Sequence, residues 1–307
     1  MKNLSISLLL ITSVLSVAAE MPRKAIPFIY DGHIYIQATL QDTVPISVLY
    51  DTGANGFYID KEFMESSHFA ENQNDKCIAI LNGAGNSDNA IFPIINEPLQ
   101  ITMGDIKYNE EYCPVVNLRE VVGRQLDGMV GIDAFANKII LINYSEGYIK
   151  PIDKLNSEIL DGFTKLPAQF NDNIIYIEAE LKIDSVQTIK GNFILDSGCD
   201  GSIVLTNRVR KSLDLTNKDT VQYYSSHNGI GGDGTSIMFR ASAFDFLDKL
   251  ENVVVYASNN DEGILSGNDK YLGAIGNCIL SNYDIIIDDV NKEVYARRNN
   301  NTNNSYQ

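Results

Sequence analysis

Ile46-Ser47-Val48-Leu49-Tyr50-Asp51-Thr52-Gly53-Ala54 and Gly191-Asn192-Phe193-Ile194-Leu195-Asp196-Ser197-Gly198-Cys199 follow one pattern. In each, an apolar run delivers an aspartate, a small hydroxyl residue and a glycine. A short apolar run bounded by turn residues reads as a buried strand. The glycine after it lets the backbone turn sharply and be approached closely. The two aspartates lie 196 − 51 = 145 residues apart.

That spacing recurs. Gly128-Met129-Val130-Gly131 maps onto Gly273-Ala274-Ile275-Gly276, since 273 − 128 = 145. Ile139-Ile140-Leu141-Ile142-Asn143 maps onto Asp284-Ile285-Ile286-Ile287-Asp288 at the same offset of 145. A Gly-x-Gly stands between these landmarks in each half: Gly83-Ala84-Gly85, and Gly229-Ile230-Gly231 at 229 − 83 = 146. Upstream, Ile34-Tyr35-Ile36-Gln37-Ala38 matches Ile175-Tyr176-Ile177-Glu178-Ala179 at 175 − 34 = 141. Landmarks in one order and nearly one register mark a duplicated unit. The expected units are residues 20–155 and 156–298, followed by a disordered polar tail, 299–307.

The 307 residues suffice for two such domains. With 44% hydrophobic and 21% charged residues the composition is globular. The net charge of −16 repels phosphate backbones, so nucleic acid is not an expected partner. The first 19 residues read as a signal peptide. Lys2 precedes the apolar Leu4 to Val17, and Val17-Ala18-Ala19 offers a cleavage site before Glu20. The apolar run is short for a membrane span, although an uncleaved anchor is the alternative. The expectation is an exported protein (periplasmic, cell-surface or secreted) that is monomeric and off the membrane once cleaved. In such a compartment Cys77, Cys113, Cys199 and Cys278 can oxidise in three possible pairings. Cys-x-x-Cys is absent and the histidines are only His33, His68 and His227, so a zinc site is not expected.

Most of the chain reads as short strands rich in Ile, Val, Tyr and Phe. They cover 34–40, 45–50, 98–103, 138–143, 174–181, 190–195, 236–242, 252–256 and 284–288. Short helices are expected at 61–65 after the cap Asp60, at 207–213 after Thr206, and just past Gly131 and Gly276.

Two carboxyls a few ångströms apart cannot both ionise easily, so such a pair shares one proton. It can then activate a water for hydrolysis without a covalent intermediate. For Asp51 and Asp196 to do this, each needs a rigid elbow. Thr52 and Ser197 can bond backbone across the interface, and Gly53 and Gly198 let backbone N–H groups reach the carboxylates. Asp-Thr-Gly alone is a common turn. Its strand context and its recurrence at the repeat offset are what single it out here.

On these motifs the chain resembles the retropepsin-like and pepsin-like aspartic peptidases, with two retropepsin-like units of the bacterial type in tandem. The resemblance covers nearly the whole chain after residue 19. It implies a mainly β fold of two homologous closed-barrel lobes with a cleft between them. It also implies an endopeptidase with catalytic Asp51 and Asp196, dyad support from Thr52, Gly53, Ser197 and Gly198, and no metal or organic cofactor. Polypeptide substrate would lie under flaps carrying Gly83, Ala84, Gly85, Gly229, Ile230 and Gly231. The Met129-Val130-Gly131 and Ala274-Ile275-Gly276 loops would pack beneath the elbows. Two departures stand out. Neither flap tip carries the tyrosine of pepsin-like enzymes, Tyr223 and Tyr224 being several residues upstream. Cys199 stands where the first half has Ala54, and a Cys199–Cys278 bridge is conceivable beside the simpler reading of two buried small residues.

Asp127 and Asp133 lack repeat counterparts (Leu272 and Cys278) and read as loop or capping residues. His227, beside the second flap, reads as a solvated loop histidine. Gly231-Gly232-Asp233-Gly234 lacks the Lys-Ser/Thr of a phosphate loop, and Asp288-Asp289 lacks calcium-loop spacing. Two alternatives stay open: a non-catalytic peptide- or protein-binding module on the same fold, and halves that each pair with another chain.

Overall fold

The computed structural model describes residues 21–67, 73–95, 97–123, 125–217 and 221–300. The expected leader, His68 and residues 301–307 of the tail lie outside the described residues. Among the described residues no helix is long and apolar enough to cross a membrane.

The described residues are mainly β, in two sheets of 15 and 8 strands. Every strand expected from the sequence is present. So are the short helices Lys61–Ser66 and Asn207–Ser212, whose caps Asp60 and Thr206 accept from the Phe63 and Val209 N–H groups. Strands from both ends of the second unit explain why the two sheets differ in size. Thr164–Leu166, Tyr283–Asp288 and Glu293–Arg298 lie in the second half of the sequence but add to the larger sheet.

The repeat is visible in the pairing itself. Gly128–Gly131 runs parallel to Val44–Asp51 with Gly128 opposite Val48. Gly273–Ile275 runs parallel to Thr188–Leu195 with Gly273 opposite Phe193, where 193 − 48 = 145 again. Ile139–Asn143 pairs antiparallel with Tyr283–Asp288, and Leu141 faces Ile286, its own counterpart at 286 − 141 = 145. A segment paired antiparallel with its own duplicate makes a self-complementary contact, as two subunits do about a twofold axis. All six residues of Tyr283–Asp288 are buried. Each fully buried Ile there contributes about 1.5–3 kcal/mol by leaving water.

The expected closed barrels are not found. In the second half, six strands pair in a ring, but the closing rung spans only Glu180 to Lys182 against Ala243 to Asp245. The reason is the length of Gly232–Asp245, 14 residues. One end reaches back to Ile174–Lys182, and the other leaves the ring as one arm of a projecting hairpin. In the first half the pairing path stays open, ending at the hairpin of Gln73–Leu81 and Ala90–Ile95.

Candidate active site

Asp51 ends its strand, and Asp196 follows directly on Leu195, the last residue of its own. Along each strand the alternation of side chains decides what faces the site. Tyr50 and Leu195, next to the aspartates, are buried in the main core. Leu49 and Ile194, two residues before them, share the aspartates' face.

Four hydrogen bonds tie the elbows together. Thr52 N–H donates to Ser197 Oγ and Ser197 N–H to Thr52 Oγ1, each at 2.9 Å. The Thr52 hydroxyl donates to the Leu195 carbonyl at 2.7 Å, and the Ser197 hydroxyl to the Tyr50 carbonyl at 3.0 Å. Each bond has its mirror at the repeat offset, because 197 − 52 = 145 and 195 − 50 = 145. Thr52 and Ser197 are both 1% exposed, so these groups have no water to fall back on.

The aspartates meet between the elbows. The Gly198 N–H donates to Asp51 Oδ1 at 3.1 Å and to Asp196 Oδ1 at 3.0 Å, so one donor holds both carboxyls. Gly53 N–H donates to Asp51 Oδ1 at 2.7 Å. Side chains at the glycines would collide with the facing carboxyls: a Cβ on Gly53 would sit 2.8 Å from Asp196 Oδ1, and one on Gly198 would overlap Asp51. Both aspartates belong to one chain, so the site needs no second copy to be complete.

Burial pushes the Asp196 carboxyl well above the ordinary carboxylate range, and the neighbouring charge of Asp51 adds to this. Burial raises Asp51 as well, but the Gly53 N–H, the hydrogen bond from Asp196 and the nearby His33 pull it back. The two carboxyls therefore titrate as a pair, with Asp196 the more strongly raised of the two.

The glycine loops lock the elbows from below. Ile132 N–H donates to the Ala54 carbonyl at 3.0 Å, and its counterpart Asn277 N–H donates to Cys199 at 2.7 Å. Asp133 accepts from Gly56 N–H at 2.7 Å, and Asp127 accepts from Ser47 N–H at 2.9 Å, so both cap loops. Asp288 accepts twice from Asn291, and Asp289 accepts from Asn137 N–H. The four cysteines are thiols. Cys278 Sγ donates to the Asp200 carbonyl at 2.9 Å rather than bridging to Cys199. Among the described residues no group of three or more His, Cys, Asp or Glu side chains is placed to hold a metal ion.

The Gly-x-Gly segments lie on projecting hairpins as expected, and their tips interlock. Gly85 N–H donates to the Ile230 carbonyl at 2.9 Å. A Cβ on Gly83 or Gly85 would overlap the backbone of Ile230 or Gly231. The first tip is also bolted to the loop after Lys249–Ser258: Ile264 N–H donates to Gly83 O at 3.0 Å and Asn260 Nδ2 to Ala84 O at 3.1 Å. His227 is not a solvated loop residue. Its Nε2 lies 3.3 Å from Ala84 O, and burial lowers its pKa. Tyr223 and Tyr224 are exposed.

Two features escaped sequence reasoning. One is a pair of apolar clusters, Tyr35, Leu49, Leu126 and Met129 in the first half, and Tyr176, Ile194, Tyr271 and Ala274 in the second. They are repeat counterparts at offsets of 141 for the tyrosine pair and 145 for the rest. The offset applied to the residue two before each aspartate would have found them. Ile230, at the tip of the second hairpin, packs against the first cluster. The other feature is His33, whose ring reaches the second elbow.

No protein-family model matches the chain, and no curated protein matches it in sequence. The geometry alone carries the functional reading.

Proposed function

We propose that the chain is an aspartic endopeptidase of the acid-protease fold, its two lobes each supplying one aspartate to a single site. The observation that carries this reading is the shared Gly198 N–H, which aligns the two carboxyls between reciprocally bonded elbows. A water between the carboxyls would lose a proton to Asp51 as it attacks the peptide carbonyl carbon, while Asp196 protonates the carbonyl oxygen. The tetrahedral diol would then collapse. The C–N bond breaks as Asp51 returns its proton to the leaving nitrogen and Asp196 takes one back from a hydroxyl. Nothing covalent forms with the enzyme, and the dyad ends as it began.

Substrate would lie extended between the halves, adding its backbone to the hairpins as a further strand. The apolar clusters on either side of the dyad favour apolar side chains flanking the scissile bond. Because the hairpin tips interlock over this region, they must part to admit a polypeptide. The leader reading adds export, which N-terminal sequencing of the protein recovered outside the cytoplasm would test.

The deciding assay incubates the chain from residue 20 with a mixed peptide library across pH 3–7, with and without pepstatin. Cleavage that pepstatin blocks, and that Asp51→Asn and Asp196→Asn each abolish, supports the reading. A folded protein that cleaves nothing at any pH would sink it and leave the binding module in its place.

A further inference from the structure

His33 opens the strand His33–Leu40 and reaches from the first half to the second elbow. Its Nε2 lies 3.1 Å from the Gly198 carbonyl oxygen, and the Tyr35 hydroxyl lies 3.3 Å from its Nδ1. A carbonyl can only accept, so Nε2 carries a proton, and in the neutral ring Nδ1 accepts from Tyr35. The Tyr35 ring meets the imidazole edge-on, 6.1 Å between centroids. Gly198 is the residue whose N–H holds both aspartates. His33 therefore grips one end of the residue whose other end aligns the dyad.

The grip is one-sided. The counterpart of Tyr35 is Tyr176, and two residues before Tyr176 stands Ile174, which can form no such bond. The first elbow therefore has no equivalent histidine, and the two aspartates differ in surroundings although their elbows mirror each other.

We infer that His33 is a positioning residue of the dyad: it clamps the Gly198 elbow whether neutral or protonated, and the protonated ring sets a positive charge beside Asp51. The inference rests on the peptidase reading of the site. Protonation does not break the clamp, because Nε2 still donates to Gly198 and the Tyr35 hydroxyl oxygen can turn to accept from Nδ1. The titratable groups nearest the ring are Asp31 across the hairpin, Tyr35 on its own strand and Asp51 on the next strand, with Asp196 and Asp200 further along the elbow that carries Gly198. None of them brings a positive charge, so the histidine supplies it. A cation there favours Asp51 as the ionised member and leaves the shared proton on Asp196. The duplicated site thus acquires a direction.

The test uses two variants. His33→Gln keeps a donor for Gly198 and an acceptor for Tyr35 but has no charge. His33→Leu keeps neither. With a peptide cleaved by the wild type, kcat and KM are followed from pH 3 to 7. In parallel, carboxyl ¹³C NMR of the full chain follows the titration of Asp51 and Asp196. The Leu variant is expected to lose about tenfold in kcat at every pH, the worth of one good hydrogen bond, with KM changed by less than about twofold. The Gln variant should regain kcat at the upper end of the range. Its acid limb and the dyad's lower titration step should both move to higher pH. Wild-type kcat and an unmoved acid limb in the Leu variant would overturn the inference, and so would a Gln variant with an unmoved acid limb. If the Leu variant does not fold, the Gln comparison decides. If the wild type cleaves nothing, the peptidase reading fails separately, and the NMR titration still decides: an unmoved dyad in His33→Gln overturns the role.

Discussion

Replacing Thr52 by Val tests what joins the two halves at the dyad. Valine has the shape of threonine and lacks only the hydroxyl, so packing is nearly conserved. The change removes two of the four cross-elbow bonds, the donation to Leu195 O at 2.7 Å and the acceptance from Ser197 N–H at 2.9 Å. It strands a carbonyl and an N–H at a position 1% exposed. A buried orphan costs about 1–3 kcal/mol, so two should cost about 3 kcal/mol together. For a chain of this size that is a fall in Tm of about 5 °C. Ser197→Ala removes the mirror pair of bonds and should cost a similar amount. The double variant should cost about 1 kcal/mol less than the sum, because members of one network do not add. Urea unfolding followed by both tyrosine fluorescence and circular dichroism measures all three. A Thr52→Val variant within about 0.5 kcal/mol of the wild type would refute the reasoning, since the hydroxyl would then be exchanging equally good partners. Full additivity would show that the two mirror pairs act separately.

Three further outcomes follow from the same geometry. Because burial raises the Asp196 carboxyl's pKa in the folded state, the native protein holds a proton that the unfolded chain releases. Stability from this group is complete below the ordinary carboxylate pKa and drains away as pH rises through the folded value. Asp196→Asn should therefore unfold at higher temperature than wild type at pH 7, with the gap closing in acid, as thermal scans at both pH values will register. Tyr50 is fully buried, edge-on to Phe135, and its hydroxyl has no hydrogen-bond partner among the described residues. Tyr50→Phe should thus raise stability by about 1 kcal/mol, and a loss of that size in urea melts would show that the hydroxyl is satisfied after all. Gly85→Ala places a methyl into the backbone of Gly231. Hydrogen exchange of the amides around residues 83–88 should accelerate while the core strands keep wild-type protection, and unchanged exchange at the tip would mean that the hairpins do not interlock.

The sequence carried the duplicated unit, the strands and the identity of the paired aspartates, because these depend on local order. A strand's alternation is written in consecutive residues, and a duplication is visible as a constant offset. The caps Asp60 and Thr206 were legible for the same reason. The loop roles of Asp127 and Asp133 followed from their missing counterparts. What failed to read through were features that depend on how far an element extends. The length of Gly232–Asp245 decided that the second sheet makes a partial ring rather than a closed barrel. His227 was misread because a residue close to a hairpin turn is half-buried here only through a second hairpin packed against it.

By itself, then, the order of residues determined the repeat, the β character and the two Asp-hydroxyl-Gly elbows. Only the tertiary structure decided that one glycine N–H serves both carboxyls, and that burial raises Asp196 more strongly than Asp51. It alone also showed that a histidine lies beside the second elbow. The physical reason is that a carboxyl's protonation depends on its depth, its donors and the charges within a few ångströms. Those neighbours come from residues as far apart in the chain as His33 and Gly198, brought together only when the two halves meet.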